Sequence, residues 1–366
     1  MKIKKILFIS AFPPNQKTAG QDYTRRLILD LLDKGHSVSI IYAEYPNHPI
    51  ELPDSIKIEG IIKPSVLNCI KKLMFHPFFT RRFNKSLLSK IQSIASEFDM
   101  LYFDFSQVHI YSLYVDHPCK VLMCHDVICQ KYTRKGRFQL PWIKFSEKKL
   151  LKTASKIITF SKKDSFMIKN AYKLDSFSVN FYLKNGKFDY SNIDNKVQDN
   201  FFCFYGAWNR DENIECLEWF LNKVYPIVSS TLKFIIVGGG MSDNLKLKLS
   251  KYTNIEILGF VDDPVAEVAK TQALIAPLHK GAGVKVKVID ALSSGTVVIG
   301  TNVAFEGIED NVENKLFVTC TTPEEYAQII NNWKDVDVEK KQNAATEFFN
   351  RYNTNHFTDF LLKMEN

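Results

Sequence analysis

The sequence predicts an α/β protein built from two doubly wound domains in tandem. Short apolar runs alternate with segments of helical periodicity along most of the 366 residues, as expected for parallel sheets covered by helices. The alternation restarts in the second half, after a polar, turn-rich linker at residues 184–200. The chain is also longer than one hydrophobic core usually supports.

The first half contains five predicted strands and two clearly predicted helices. The run "ILFIS" (6–10) is the first buried strand, and a helix over about 21–34 follows and ends at Gly35. Further strands are predicted at 37–43, 100–105, 120–127 and 156–161, and the last of them leads into a helix that begins near Lys162.

The second half repeats the pattern more regularly. Strands are predicted at 200–208, 232–240, 255–261, 273–278, 296–301 and 315–320. Helices are predicted over 213–228, from Asp263, from about Val284 and at "TPEEYAQIINNW". The glycines at 238–240 indicate a tight backbone turn rather than a dinucleotide-binding fingerprint, because G-x-G-x-x-G is absent.

Composition and charge restrict the class of protein. With 45% hydrophobic and 24% charged residues, the composition is that of a soluble globular protein, and no apolar run is long enough for a transmembrane helix. No export signal is recognisable, so we expect a cytoplasmic protein. Residues 1–200 carry a net charge of +14 and residues 201–366 a net charge of −6, which predicts different partners for the two halves.

The seven cysteines are predicted to be buried free thiols. Their number is odd and no C-x-x-C pair occurs, although Cys119, Cys124 and Cys129 are evenly spaced around a predicted strand. We expect neither disulfides nor a metal site.

The segment "HKGAGVKVKVIDALSSG" (279–295) is the strongest candidate for a ligand site. It places a glycine-bounded loop, including Gly281 and Gly283, between a buried strand and the start of a helix, where free N–H groups and the helix dipole favour a phosphate. Lys287 can add a positive charge, and Asp290 can accept hydrogen bonds from ribose hydroxyls. The alternative is an amphipathic helix with a solvated Lys-x-Lys face.

The segment "GAGVKVKVIDALSSGTVVIGTNVAFEGI" resembles the donor-binding signature of GT-B glycosyltransferases, specifically the retaining family four. Other parts of the chain resemble the same family in the expected order: "FPPNQKTAGQDYTRRLILDLLDKGHSVSII", "HDV", "SKKDSFMI", "FYGAWNRDENIECLEWFLNKV", "FIIVGGG" and "LGFVDD". The resemblance is weakest between residues 45 and 98. It implies the GT-B arrangement of two Rossmann-like domains with an interdomain cleft. The domains would comprise residues 1–184 and 185–344, and the C-terminal helix at 345–366 would pack back on the first.

The resemblance also implies roles for individual residues. Arg210 and Lys287 would neutralise a donor diphosphate, and backbone near Val261 would hold the base. Gly20 would lie in a loop that approaches the diphosphate, and His125 would lie beside the transferred sugar. Further donor-binding residues would be Gly281, Gly283, Asp290, at the position of the family's ribose-binding glutamate, and Glu306.

From residue type and position alone, two of these residues have simpler explanations. His125 can merely satisfy the end of a strand. Glu306 can equally be a solvated loop carboxylate.

Three positions depart from the family pattern. Ala282 stands where a glutamate normally holds the sugar hydroxyls, and Asn213 replaces a phosphate-binding lysine. Asp290 is one methylene shorter than the usual glutamate. These changes leave nucleotide binding as the expectation and leave the donor open.

Residues 60–96 contain seven Lys/Arg and no Asp or Glu, with interleaved apolar residues. This pattern is typical of contact with an anionic membrane surface. It is equally typical of a helical pair packed on the core with a solvated basic rim. No nucleic-acid recognition motif is present. The apolar residues are Leu73, Met74, Phe75, Phe78, Phe79 and Phe83.

The sequence therefore predicts a retaining glycosyltransferase of hexosyltransferase type. It would move a sugar from a UDP- or GDP-linked donor to a carbohydrate or glycolipid acceptor, in bacterial surface polysaccharide synthesis. Since protein cations would stabilise the leaving diphosphate, we expect no metal and no cofactor beyond the donor. A non-catalytic glycan-binding subunit and a sugar-nucleotide epimerase are the alternatives.

Overall fold

The chain divides into two compact units. One comprises Met1–Tyr182 with Thr354–Asn366, and the other Leu183–Asn353. The computed structural model describes residues 3–67, 72, 74–135, 138–179, 201–308, 316–352 and 357–363. The predicted linker at 184–200 lies outside these residues.

The first unit contains a seven-stranded parallel sheet with the order β3-β2-β1-β4-β5-β6-β7. Because β1 and β4 are neighbours, the order of the strands reverses between them. Ligands of such sheets bind outside the carboxyl ends of the strands at this position. The strands are β1 (Lys5–Ser10), β2 (Ser37–Ala43), β3 (Lys57–Ile62), β4 (Met100–Asp104), β5 (Lys120–Cys124), β6 (Lys156–Thr159) and β7 (Phe177–Ser178).

Helices cover both faces of this sheet, and local sequence sets their ends. Thr18 and Ser161 cap two of them by accepting hydrogen bonds from the N–H groups of Gln21 and Asp164. The helices are α1 (Ala19–Asp33), α2 (Pro77–Thr80), α3 (Lys85–Ile94), α4 (Ile128–Lys135), α5 (Leu140–Leu151) and α6 (Lys162–Tyr172), with 3₁₀ turns at Ala95–Glu97 and Ser106–Leu113.

The two-residue strand β7 is absent from the sequence prediction, and so is strand β3. It lies at the edge of the sheet, and both Ile58 and Ile61 are exposed, so the strand lacks the continuous apolar run of its neighbours. Gly60 interrupts the pattern further. A side chain at Gly60 would lie 2.6 Å from Leu87 Cδ1, so the glycine makes room for α3.

The second unit contains a six-stranded parallel sheet with the order β10-β9-β8-β11-β12-β13, which reverses between β8 and β11. All six predicted strands are present. The strands are β8 (Phe201–Tyr205), β9 (Lys233–Val237), β10 (Ile255–Gly259), β11 (Ala273–Ala276), β12 (Val297–Gly300) and β13 (Phe317–Thr319). The helices are α7 (Asp211–Lys223), α8 (Asp243–Leu249), α9 (Pro264–Ala269), α10 (Val286–Ser293), α11 (Pro323–Asn331) and α12 (Val338–Tyr352), with a 3₁₀ turn at Tyr225–Ile227.

The C-terminal region differs from the single helix expected at 345–366. Residues 345–352 continue α12, which packs against α10 within the second unit. A separate helix, α13 (Phe357–Lys363), belongs to the first unit and contacts α1. The helix that the resemblance implied therefore corresponds to parts of two helices in different units.

The aromatic residues of the basic segment at 60–96 pack on the first core. Phe75, Phe79 and Phe83 are buried, and Phe78 is half-buried, whereas Met74 is exposed. The aromatic residues that suggested a membrane contact therefore pack inward, in agreement with the alternative of a basic rim on a packed core. Leu73 lies outside the described residues.

The cysteines within the described residues are free thiols, and all of them except Cys119 are buried. Cys69 lies outside these residues. Over the same part of the chain, no three His, Cys, Asp or Glu side chains form a group that could hold a metal ion. None of the helices described has the length and apolar character that a membrane crossing needs.

Candidate functional site

In the second unit, a glycine loop leads from β11 into α10. Gly281 and Gly283 have φ values of +112° and +67°, which favour glycine and turn the chain sharply before the helix. The helix begins at Val286, two residues later than predicted. Its N-cap residue, Lys285, offers no side-chain acceptor to the first backbone amides, so these donors and the positive end of the dipole suit a bound anion.

Lys285 stabilises the glycine loop from within. Its ammonium donates hydrogen bonds to the carbonyl oxygens of Gly283 at 2.6 Å and Ala282 at 3.2 Å. It also lies 3.8 Å from the Glu306 carboxylate, and the Lys285 side chain is only 12% exposed. Lys285 thus links the Glu306 carboxylate to the carbonyl groups of the glycine loop. Since neither Lys285 nor Lys287 is exposed, the alternative of a solvated Lys-x-Lys face is wrong.

Lys287 is the second residue of α10 and points toward α7. Its ammonium donates a 2.8 Å hydrogen bond to Asn213 Oδ1, and the Asn213 amide donates in turn to the Ala207 carbonyl. Burial lowers the pKa of Lys287 to about 8, an effect that Lys285 and Arg210 increase and that Cys216 and Glu212 partly oppose. A buried ammonium held by a neutral amide is a cation that an anionic ligand would stabilise.

Asn213 has a role that its sequence position does not reveal. At the place where the resembling family uses a second lysine, this chain uses an amide that positions Lys287. Gly206 makes this possible, because a side chain there would lie 2.7 Å from Asn213 Nδ2. The signal in the sequence is the pairing of a small residue at the end of β8 with a polar residue in the first turn of α7.

Arg210 lies immediately before α7 and is exposed. Its guanidinium is 4.0 Å from Glu212, a loose contact that leaves it able to turn toward a ligand. Because β8 and β11 are neighbours, Arg210 and the glycine loop both follow strand ends at the reversal of the second sheet. The structure therefore places Arg210, Lys287, Gly281 and Gly283 at the same edge of the second sheet.

Asp290 is the fifth residue of α10, a little over one turn from its start. It is half-buried and close enough to Tyr205 for its charge to contribute, after burial itself, to raising the pKa of the tyrosine hydroxyl. Val261, two residues beyond β10, is half-buried against the second core. Both residues lie beyond the carboxyl ends of strands or on the helix that follows, as a nucleotide site requires.

In the first unit, His125 lies at the carboxyl end of β5 within a shell of aromatic rings. Its Nε2 donates a 2.8 Å hydrogen bond to Asp104 Oδ1, and its ring stacks on Phe105 with centroids 3.6 Å apart. Tyr23 and Phe160 contact the ring edge-on. With Nε2 bound to the carboxylate, Nδ1 is the nitrogen left for another group.

Asp104 and Phe105 are functional candidates that the sequence analysis missed. Asp104 is fully buried at the end of β4 and also accepts hydrogen bonds from Ser10 and Thr24. Phe105 has φ +67°, an unfavourable conformation for a residue with a side chain, which places its ring on His125. The signal available was a carboxylate in an otherwise apolar strand, "MLYFDF", next to the reversal of the sheet.

Gly20 is the second residue of α1 rather than part of a loop. A side chain there would lie 3.0 Å from the Phe105 ring and 3.3 Å from His125 Nδ1. The glycine therefore keeps the surface beside His125 open.

Known proteins resemble this chain in sequence over part of its length and in fold over nearly all of it. Residues 199–334, which lie within the second unit, match the family model described as glycosyl transferases group 1. An uncharacterized 44.6 kDa protein in the cps region of Klebsiella pneumoniae is 31% identical over 128 residues. That alignment covers 31% of this chain and 32% of the relative, so the chain spans about a third of the relative's length.

Solved structures are similar over the whole chain. Anabaena HepE in complex with UDP and glucose has a TM-score of 0.65 at 14% identity, covering 99% of this chain and 97% of that one. A variant of S. aureus TarM in complex with Fondaparinux, alpha-GlcNAc-glycerol and UDP has a TM-score of 0.71 at 12% identity over 100% of both chains. The catalytic domain of Arabidopsis thaliana starch synthase IV, bound to ADP and acarbose, has a TM-score of 0.65 at 11% identity, covering 100% and 99%. The predicted GT-B fold is confirmed.

Proposed function

We propose that the protein is a retaining glycosyltransferase that moves a sugar from a UDP- or GDP-linked donor to a carbohydrate or glycolipid acceptor. The observation that carries this proposal is the cationic edge of the second sheet. Lys287, Arg210 and the amino end of α10 all follow strands that meet at its reversal. The match of residues 199–334 to group 1 glycosyltransferases supports it.

The chain's own residues supply the chemistry that such a transfer needs. As the bond between the sugar and the diphosphate breaks, negative charge develops on the departing phosphate. Lys287, Arg210 and the helix dipole stabilise that charge without a metal ion. His125, oriented by Asp104, contacts the sugar at its reacting face. Holding donor and acceptor in the correct relative position lowers the remaining activation barrier. We assign no enzymic nucleophile.

The direct test measures release of nucleoside diphosphate from a panel of UDP- and GDP-linked sugars. We expect one donor to be consumed in the presence of a matching acceptor. NMR of the product should show the same anomeric configuration as in the donor. Thermal shifts with UDP and GDP identify the base, because a ligand that binds the native state raises its melting temperature. Melting temperatures unchanged by either nucleotide would contradict the proposal.

A second function, a non-catalytic glycan-binding subunit, is favoured by one observation. Ala282 provides no carboxylate for the donor sugar, and its carbonyl accepts a hydrogen bond from Lys285. Binding of glycans without consumption of any donor would support this function. Consumption of a donor excludes it.

We further propose that the enzyme acts in the cytoplasm at a membrane face, in surface polysaccharide synthesis. The position of the Klebsiella relative in a cps region supports the pathway. The surface that supports membrane contact is α5 together with Phe138, which precedes it, rather than residues 60–96. Phe138 is 98% exposed and Phe145 is 44% exposed, while the one carboxylate of α5, Glu147, is buried. The outward lysines of α5 are Lys144, Lys148 and Lys149.

Replacing both exposed rings, Phe138→Ser with Phe145→Ser, should abolish sedimentation with phosphatidylglycerol vesicles. Insertion of the rings and attraction of the lysines to anionic lipid both contribute to binding. Phe166→Ser is the matched control, since Phe166 is 66% exposed on α6 of the same unit. Equal sedimentation of the double variant and the wild type would contradict the assignment.

A further inference from the structure

A line of aromatic rings runs along the carboxyl edge of the first sheet, away from His125. Phe105, stacked on His125, meets Phe12 edge-on at 5.0 Å between centroids. Phe12 meets Tyr45 at 5.5 Å, and Tyr45 meets His48 at 4.7 Å. Tyr45 is 45% exposed, and Phe12 and His48 are half-buried. Such rings present flat apolar surfaces of the kind on which the C–H faces of sugar rings pack.

Arg82 lies over this line. Its guanidinium carbon is 4.7 Å from the centroid of Phe12, and its Nε donates a 2.9 Å hydrogen bond to the Ala11 carbonyl, directly after β1. These two contacts fix the guanidinium plane. The terminal nitrogens make no hydrogen bond to any residue that the structure describes.

The charge of Arg82 is not balanced locally. No carboxylate within the described part of the chain lies within ion-pair distance of it, whereas Lys90, in the same basic segment, pairs with Glu59 at 3.4 Å. Burial lowers the pKa of Arg82 to about 10, and the neighbouring Arg81 adds to this effect. Arg82 is half-buried, and its terminal donors have no partner among the described residues, so they are available to an anionic ligand.

We propose that Arg82 and the rings of Phe12 and Tyr45 form an acceptor subsite for an anionic saccharide. A sugar ring packs on the aromatic line, and Arg82 binds a carboxylate or phosphate of that sugar through its two terminal nitrogens. Arg82 contacts Phe12, Phe12 contacts Phe105, and Phe105 stacks on His125. A short oligosaccharide is long enough to reach from Arg82 to His125 along these contacts. This inference rests on the proposed function, because it gives that enzyme an acidic acceptor.

Binding of three small probes to the whole protein tests the subsite without turnover. The probes are methyl glucuronoside, glucose 1-phosphate and the neutral methyl glucoside, measured by saturation-transfer NMR titration. We expect the wild type to bind at least one anionic probe 10-fold or more tightly than the neutral one. Comparison of the two anionic probes distinguishes a carboxylate-bearing from a phosphate-bearing acceptor.

Three variants separate the charge from the rings. Arg82→Met should remove the preference for the anion, and Arg82→Lys should restore part of it, provided that both melt within a few degrees of the wild type. Tyr45→Ala, which removes an exposed ring, should weaken the binding of all three probes. It should leave the preference for the anionic probes unchanged. A wild type without preference, an Arg82→Met variant that keeps it, or Tyr45→Ala without effect would overturn the assignment.

The outcome is independent of the donor site. If UDP and GDP fail to bind while the anionic preference depends on Arg82, the subsite stands and the proposed transfer fails. If a nucleotide binds and no probe depends on Arg82, the proposed transfer stands and the acceptor inference fails.

Discussion

Lys287→Met should lower the affinity for UDP about 100-fold, or roughly 2.7 kcal/mol, while leaving the folded protein slightly more stable at pH 7. The loss follows because the variant removes the ammonium in the first turn of α10, which is held by the neutral amide of Asn213. The gain follows because a buried ammonium with a lowered pKa opposes folding while it is charged. The variant also leaves Asn213 without its hydrogen-bond partner, which offsets part of this gain. We therefore expect a net gain in the free energy of unfolding on the order of 1 kcal/mol.

The pH dependence of this effect has a definite sign. The ordinary pKa of lysine is 10.5 and that of Lys287 is about 8, so between these values the unfolded chain binds a proton that the folded chain does not. Wild-type stability therefore rises with pH over this window, relative to Lys287→Met. A bound diphosphate raises the pKa again, so affinity for UDP should fall as pH rises above about 8.

Isothermal titration calorimetry and urea unfolding between pH 7 and 10 measure both effects. Lys280→Met is the matched control, because Lys280 is exposed in the same loop and pairs with Glu215 on the surface. UDP affinity in Lys287→Met within threefold of the wild type would remove Lys287 from the site. Parallel stability curves for the two proteins would contradict the lowered pKa.

Gly238→Ala should destabilise the second unit by about 3 kcal/mol or more and abolish nucleotide binding. Gly238 has φ +114°, which favours glycine, and a Cβ there would lie 2.0 Å from the Gly206 carbonyl oxygen. Relief of this overlap requires β8 and β9 to move apart at their carboxyl ends. Gly206 is the residue that makes room for Asn213, so the shift would also displace the partner of Lys287.

The control for Gly238→Ala is Gly259→Ala. Gly259 also has a positive φ, +71°, in the same unit, but nothing lies within 4 Å of its added Cβ. It should cost about 1 kcal/mol, the conformational penalty alone. Chemical unfolding of both variants, followed by near-UV circular dichroism, distinguishes overlap from conformational strain. Equal losses in the two variants would show that the overlap relaxes without cost.

Much of the fold could be predicted because its strands are buried on both faces. Continuous apolar runs such as "ILFIS" and "ALIAPL" are recognisable as buried strands. Because helices connect these strands, the sheets are predicted to be parallel. The prediction missed β3, whose outward face is exposed at the sheet edge, and the two-residue β7. The resemblance implied one C-terminal helix where the structure has two. For β3, tertiary context determines the structure more strongly than local periodicity does.

The site could be predicted only in part, because its residues act through partners distant in sequence. The glycine loop and Lys287 lie in one recognisable segment. The pairing of Lys287 with Asn213 joins residues 74 positions apart, and that of His125 with Asp104 joins residues 21 positions apart. Lys285, to which the sequence assigned no role, bonds to the carbonyls of the glycine loop and lies 3.8 Å from Glu306. Spacing along a helix cannot reveal such pairs.

The decisive measurement is the position of the diphosphate in a crystal structure of the protein with UDP bound. We expect the diphosphate at the amino end of α10, within hydrogen-bond distance of Lys287 Nζ and of backbone amides between Gly281 and Lys287. Pyrophosphate oxygens bound away from this helix end, with Lys287 still donating to Asn213 alone, would contradict it.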